Sequence, residues 1–189
     1  MSIVVVAANN EGAIGFSDGR VISINNEIVT EKYSKLLQIN KNVACGMIGS
    51  NNFWIQVFKI ALPIVQSNPD YKIEYVVQTV INTAQDICPT PEPNNSQILF
   101  YGIGKNNKIQ VLYFSAYKKI LTPFCPNTDK YMINSISHYP QTDKIIEDTI
   151  KQNPNKNCLE CIFSAMNKIS TLDNTINGSV VSIPIHLPK

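Results

Sequence analysis

The chain has 189 residues, of which 44% are hydrophobic and 16% are charged, and its formal net charge at pH 7 is +2. This length and composition predict one compact domain over residues 1–189 that buries a sizeable core. The charge is too small to indicate nucleic acid or an anionic membrane as a partner, and the lysines are scattered rather than clustered. We therefore expect no nucleic-acid partner and no membrane partner.

The start of the chain and its cysteines bear on the cellular compartment. No apolar run approaches the roughly 20 residues that span a bilayer. Asn9, Asn10 and Glu11 interrupt the apolar start too early for a signal peptide. The five cysteines are odd in number and irregularly spaced, which does not favour a secreted disulfide framework. These features predict a cytoplasmic protein.

The first fifty residues alternate short β-branched runs with turn signals, a pattern typical of antiparallel strands. The turn "NKN" separates two such runs and predicts a hairpin. The predicted strands cover residues 2–8, 13–16, 21–29, 35–39 and 43–48.

The period then changes to that of a helix. Asp70 and an Asn before Phe53 are candidate N-caps for the first two helices. Helices are predicted over 51–67, 70–87, 141–152 and 158–172, and strands over 97–104, 108–115 and 178–188. This order of strands and helix pairs predicts an α+β domain. Two antiparallel sheets would pack face to face, with a helix pair on each outer face, as a four-layer αββα sandwich.

Several short motifs give no functional prediction. Cys158 and Cys161 form a lone CxxC inside a helical pattern, where a structural role is favoured over zinc. His138 and His186 are isolated in the sequence, and no helix follows Gly104 to make a phosphate loop. We predict no metal and no cofactor.

Three longer segments carry a resemblance. "SIVVVAANNEGAIGFSDGRVIS" resembles the opening of proteasome β-type subunits, in which a nucleophile begins the first strand and an acid lies on the next. "KLLQINKNVACGMIGS" is similar to that family's lysine, hairpin and glycine, and "STLDNTINGSVVSIPI" to its late Asp, turn and final strand. The order of the helix pairs matches as well. The resemblance covers nearly the whole chain and implies the N-terminal nucleophile (Ntn) hydrolase fold.

The resemblance implies that Ser2 is the nucleophile once Met1 has been removed. A hydroxyl needs a base to take its proton, and a free α-amino group with a pKa near 8 can be that base at neutral pH. Lys35 would lower the pKa of the Ser2 hydroxyl, and Asp18 would hold the Lys35 ammonium. The backbone N–H of Gly49 would face the developing oxyanion.

The resemblance also maps Ser135 and Asp173 to supporting roles beside the free amino group. Arg20 matches a basic residue that follows the acid, with a structural role. An ordinary surface ion pair between Lys35 and Asp18 is the simpler alternative, and such a pair would contribute little stability.

Three functions remain open at this stage. The leading hypothesis is a proteasome-like peptidase that cleaves unfolded proteins or peptides inside a ring of identical subunits, with an unfolding ATPase or activator as a partner. The second is a ring or scaffold subunit without activity, because Ile136 and Ile176 replace small or polar family residues and no propeptide precedes Ser2. The third is an amidase of the same fold.

Overall fold

The computed structural model describes residues 2–22, 28–31, 33–126, 128–173 and 175–188. The strands are β1 (Ile3–Ala8), β2 (Gly12–Asp18), β3 (Val21–Ile22), β4 (Ile28–Thr30), β5 (Leu36–Gln38), β6 (Val43–Ile48), β7 (Gln97–Ile103), β8 (Ile109–Ser115), β9 (Ile120–Phe124), β10 (Met132–Ser137) and β11 (Val180–His186). The helices are α1 (Asn51–Gln66), α2 (Ile73–Ile87), α3 (Thr142–Gln152) and α4 (Cys158–Leu172). None of the described helices is long and apolar enough to cross a membrane.

Two antiparallel sheets form the centre of the molecule. The first has the strand order β10-β1-β2-β11, and the second has the order β5-β6-β7-β8-β9. Strands β3 and β4 form a separate two-stranded ribbon. Residues 23–27, which fall inside the predicted strand 21–29, lie outside the described residues.

Strand β1 shows how the layers are built. Val4 and Val6 pack between the two sheets, whereas Ile3 and Val5 pack against α3 and α4. Successive side chains of a strand point to opposite faces, so a strand covered on both faces is apolar throughout. A third apolar cluster joins α1 and α2 to the outer face of the second sheet. The predicted four-layer αββα sandwich is therefore confirmed.

Two strands, β9 and β10, occupy a region for which the sequence predicted no regular structure.

The helix caps also differ from prediction. Helix α1 is capped by Ser50, whose hydroxyl oxygen accepts a hydrogen bond from the Phe53 N–H at 3.3 Å. Asp70 does not cap α2, which begins after Lys72 without a side-chain cap. Asp70 instead forms an exposed ion pair with Lys41.

Candidate active site

Asp18, the last residue of β2, connects the start of the chain to Lys35. Its Oδ1 atom accepts hydrogen bonds from the Ile3 N–H at 2.9 Å and from Lys35 Nζ at 2.6 Å. Its Oδ2 atom accepts from the Arg20 N–H at 3.1 Å. One carboxylate oxygen therefore holds the Lys35 ammonium beside the peptide bond that joins Ser2 to Ile3.

The Lys35–Asp18 pair is buried, contrary to the surface alternative. The side chain of Lys35 is 4% exposed and that of Asp18 is fully buried. Burial lowers the pKa of Lys35, although the charge of Asp18 opposes the shift and favours the ammonium. A lowered pKa brings the Lys35 amine closer to the range in which it can exchange a proton near neutral pH.

Gly49 follows β6 at the same end of the sandwich. Its φ is +96°, and a Cβ atom at this position would lie 2.5 Å from Ser96 Cα. Ser96 Oγ accepts a hydrogen bond from the Ser50 N–H at 2.9 Å, and Trp54 Nε1 donates to the Ile48 carbonyl at 2.9 Å. No acceptor for the Gly49 N–H occurs among the described residues. Hydrogen bonds therefore fix the residues on both sides of Gly49, and the positive φ and the close approach of Ser96 leave room only for glycine.

Glu92 supports this segment and was missed by the sequence analysis. It is 3% exposed and accepts hydrogen bonds from the Ser96 N–H at 2.9 Å and from Asn94 Nδ2 at 2.8 Å. Burial by itself raises the pKa of Glu92, but the hydrogen bonds from Ser96 and Asn94 outweigh burial and lower it. The one signal in the sequence is an acidic residue within the proline-rich segment "PTPEP".

Asp173 ends α4 and is 6% exposed. Its Oδ1 atom accepts from the N–H and the hydroxyl of Thr175, at 2.9 and 2.6 Å. Its Oδ2 atom is buried without a partner among the described residues. In the same turn, Asn177 Oδ1 accepts from the Gly19 N–H at 2.9 Å. Because Gly19 follows Asp18, this turn lies at the end of the sandwich where β1 begins, hereafter the Ser2 end.

Arg20, Glu31 and Asn177 form a group of polar contacts at the Ser2 end. Arg20 donates to Glu31 at 2.8 Å, and Asn177 Nδ2 donates to Glu31 Oε2 at 2.9 Å. The hydrogen bond from Asn177, together with the charge of Arg20, lowers the pKa of Glu31. A structural role for Arg20 stays a prediction.

The structure does not bring Ser135 to Ser2. Ser135 stands opposite Val5 in the β1–β10 register, and its hydroxyl donates a short hydrogen bond to Asp143 of α3. The residue that meets Ser2 is His138, whose N–H donates to the Ser2 carbonyl at 3.3 Å. His138 is isolated in the sequence, and strand pairing brings it to Ser2.

The two substituted positions, Ile136 and Ile176, belong to the core. Ile136 is 3% exposed between the sheets, and Ile176 is 1% exposed beneath α3 and α4.

No group of three His, Cys, Asp or Glu side chains in the described ranges could hold a metal ion. Cys158 and Cys161 are free thiols, and burial raises the pKa of Cys158.

The layered architecture is that of the proteasome-like Ntn-hydrolase fold. The structure of eukaryotic HslV from Trypanosoma brucei superposes with a TM-score of 0.67 at 12% identity, covering 97% of this chain and 99% of that chain. Anbu (ancestral β-subunit) from Yersinia bercovieri superposes with a TM-score of 0.73 at 12% identity, covering 97% of this chain and 81% of that chain. No protein-family model and no curated protein matches the sequence.

Proposed function

We propose that this protein is a proteasome-like peptidase that cleaves peptide bonds through Ser2 after Met1 is removed. The observation that carries the proposal is the double use of Asp18 Oδ1, which binds both the Ile3 N–H and Lys35 Nζ in a buried site. Burying two charges costs several kcal/mol before their attraction is counted. A charged pair that is buried at this cost beside the Ser2–Ile3 peptide bond supports a role in catalysis.

The reaction would proceed through an acyl-enzyme. The Ser2 α-amine accepts the hydroxyl proton as Oγ bonds to the substrate carbonyl carbon, and the same proton passes to the leaving amine as the C–N bond breaks. The Lys35 ammonium stabilises the developing negative charge on Ser2 Oγ. The Gly49 N–H donates to the carbonyl oxygen as it becomes an oxyanion. Water then bonds to the ester carbonyl carbon and gives a proton to the α-amine, which passes it to Ser2 Oγ as the bond between Oγ and the acyl carbon breaks. Asp173 and the turn around it support the free amine.

Substitution of the nucleophile tests this proposal. Ser2→Ala is expected to abolish turnover of fluorogenic peptides, while circular dichroism and the melting temperature stay unchanged because Ser2 is only half-buried. Ser182→Ala, on the exposed side of β11, is the matched control and should keep full activity. Equal turnover by the Ser2→Ala and wild-type proteins would rule the assignment out.

Exposure of the amine is a second requirement. Mass spectrometry of the purified protein is expected to give the mass of a chain that begins at Ser2. A chain that begins at Met1 has no free Ser2 amine, and that result would overturn the amine's role as base.

We further propose that the protein acts in the cytoplasm as a ring of identical subunits, with sites facing an inner chamber that admits unfolded chains. Both outer helix layers expose apolar side chains, which indicates contact surfaces. These side chains are Ile55, Ile60 and Ile64 of α1, and Phe163 and Leu172 of α4. Native mass spectrometry tests the assembly, and an added unfolding ATPase or activator would raise turnover of folded substrates only.

One observation favours an inactive ring or scaffold subunit instead. Ile176 fills the core beside Asp173, whose Oδ2 atom has no partner among the described residues. An electrophilic peptide that labels Ser2 would exclude the inactive subunit. Activity on small amides but not on peptides would favour an amidase.

A further inference from the structure

The end of β10 places a histidine directly across from the proposed nucleophile. Ile3 pairs with Ser137 in the β1–β10 register, and the His138 N–H bonds to the Ser2 carbonyl at 3.3 Å. This hydrogen bond extends the ladder by one pair, so His138 lies opposite Ser2. Residues directly opposite in an antiparallel ladder have Cβ atoms about 4.5–5.5 Å apart on the same face.

The face they share is turned towards the layer between the two sheets. Val4 and Ile136, the next position along the two strands, both point into the layer between the sheets. A period of two from this position places the Ser2 and His138 side chains on the same side.

His138 is electrostatically suited to accept a proton. Its side chain is half-buried, and burial lowers the pKa of His138 below its usual 6.5, as do the positive charges of the chain's amino terminus and of Lys35. Among the described residues, Lys35 is therefore the charged side chain that acts on His138. An imidazole with a lowered pKa is neutral at pH 7 and has a free nitrogen lone pair.

We propose that His138 is a catalytic residue that forms a Ser–His pair with Ser2, beside the α-amine. On this second route, as Ser2 Oγ bonds to the acyl carbon, the O–H bond breaks and its proton moves to the imidazole instead of the α-amine. The imidazolium then gives this proton to the leaving group as the acyl carbon–leaving group bond breaks. This inference rests on the proposed function, because it assigns a second base to the same acylation of Ser2.

The experiment is the rate of Ser2 acylation by p-nitrophenyl acetate between pH 5 and pH 9, with the site of the acetyl group identified by mass spectrometry. The wild-type rate is expected to rise with pH along a limb centred below pH 6.5. His138→Gln, which cannot titrate, should acylate about 10²–10⁴-fold more slowly at pH 7. Its limb should move towards pH 8, where the α-amine titrates.

His186→Gln is the matched control, because His186 is the second of the two histidines and pairs with Gly12 at the opposite end of the sandwich. It should keep the wild-type rate and limb. Acylation of His138→Gln at the wild-type rate with the same limb would overturn this inference and leave the proposed function intact. Wild-type protein that is not acylated at any pH would overturn both.

The role of His138 can still be tested if the His138→Gln protein does not fold. If the melting temperature of His138→Gln falls below the assay temperature, the wild-type pH profile decides alone. A limb centred below pH 6.5 supports His138 as the base, and a limb near pH 8 assigns the base role to the amine only.

Discussion

The two ends of the sandwich bury different kinds of polar groups. Within the described ranges, the buried charged side chains all lie at the Ser2 end: Asp18, Lys35, Glu92 and Asp173. At the opposite end, where β1 turns into β2, the buried polar side chains are neutral amides such as Asn9 and Asn42. Asn9 Oδ1 accepts from the N–H groups of Glu11 and Gly12, each at 3.0 Å.

The two ends differ in whether their buried polar groups are explained by turn closure alone. Neutral amides are sufficient to close tight turns, because one side-chain oxygen satisfies two backbone donors. A buried charge adds a desolvation cost that turn closure does not require. Under the proposed function, the charged end carries out the reaction and the other end only closes turns, so substitutions at the two ends should differ in their effect on turnover.

Lys35→Ala is expected to have the largest effect. It leaves the Asp18 carboxylate buried without its cation, which should lower the free energy of unfolding by about 3–5 kcal/mol. Peptide turnover should fall by about 10²–10⁴-fold. Urea unfolding and fluorogenic peptides measure the two effects. Lys41→Ala, which breaks the exposed pair with Asp70, is the control and should change neither.

A double substitution separates stability from activity at this pair. Lys35→Met with Asp18→Asn removes both charges, and Asn keeps an oxygen for the Ile3 N–H. Because no charge stays buried alone, most of the lost unfolding free energy should return, while turnover stays as low as in Lys35→Ala. Recovery of turnover would contradict a catalytic use of the Lys35 charge.

Gly49→Ala should come next. A side chain at φ +96° is strained, and its Cβ atom would meet Ser96, so we expect a loss of about 1–3 kcal/mol in stability. Displacement of the N–H donor should lower turnover by about 10²–10³-fold. Gly178→Ala is the matched control, since the nearest atom to its Cβ would be the flexible Asn167 Oδ1 at 3.2 Å. Equal turnover by the two variants would remove Gly49 from the mechanism.

Glu92→Gln is expected to show a pH dependence. The folded protein holds the pKa of Glu92 below the ordinary 4.5, so the unfolded chain binds the proton more readily. This stabilisation is fully present above about pH 4.5 and is lost as the pH falls through the folded pKa. Gln should cost about 1.5–3 kcal/mol at pH 7. Urea unfolding at pH 7 and pH 3.5 should show the two proteins converging at the lower pH, and a constant difference would refute this account.

Asn9→Ala, at the opposite end, should have the smallest effect on catalysis. Loss of two hydrogen bonds to the turn is expected to cost about 1–3 kcal/mol, with peptide turnover unchanged once the protein is folded. The same assays measure both quantities. A drop in turnover comparable to that of Lys35→Ala would show that the two ends are not functionally distinct.

The sequence predicted the four helices and the layered fold because their apolar periods are strong and local. It did not predict β9 or β10. Both lie at sheet edges, where one side of a strand lacks a neighbour and the apolar pattern weakens. Pro123 in β9 and the polar residues of "MINSIS" in β10 obscure the strand period.

The site was predicted less completely than the fold. The family resemblance paired Asp18 with Lys35, but it did not predict that the pair is buried. The position of Ser135 depended on register, and register is set by strand pairing rather than by a motif. The pairing of β1 with β10 places His138 opposite Ser2 and places Ser135 opposite Val5, three residues further along β1. Glu92 reaches Gly49 only through Ser96, a contact that no local pattern contains.

Trp54 gives the protein a built-in optical probe of this site. It is the one tryptophan in the chain, it is 3% exposed, and its indole N–H bonds to the carbonyl of Ile48, directly before Gly49. Any ligand that shifts the Gly49 segment changes this hydrogen bond, and the emission of an indole responds to its polar surroundings. Ligand binding at the Ser2 end should therefore be measurable by intrinsic fluorescence in an unlabelled, inactive Ser2→Ala protein.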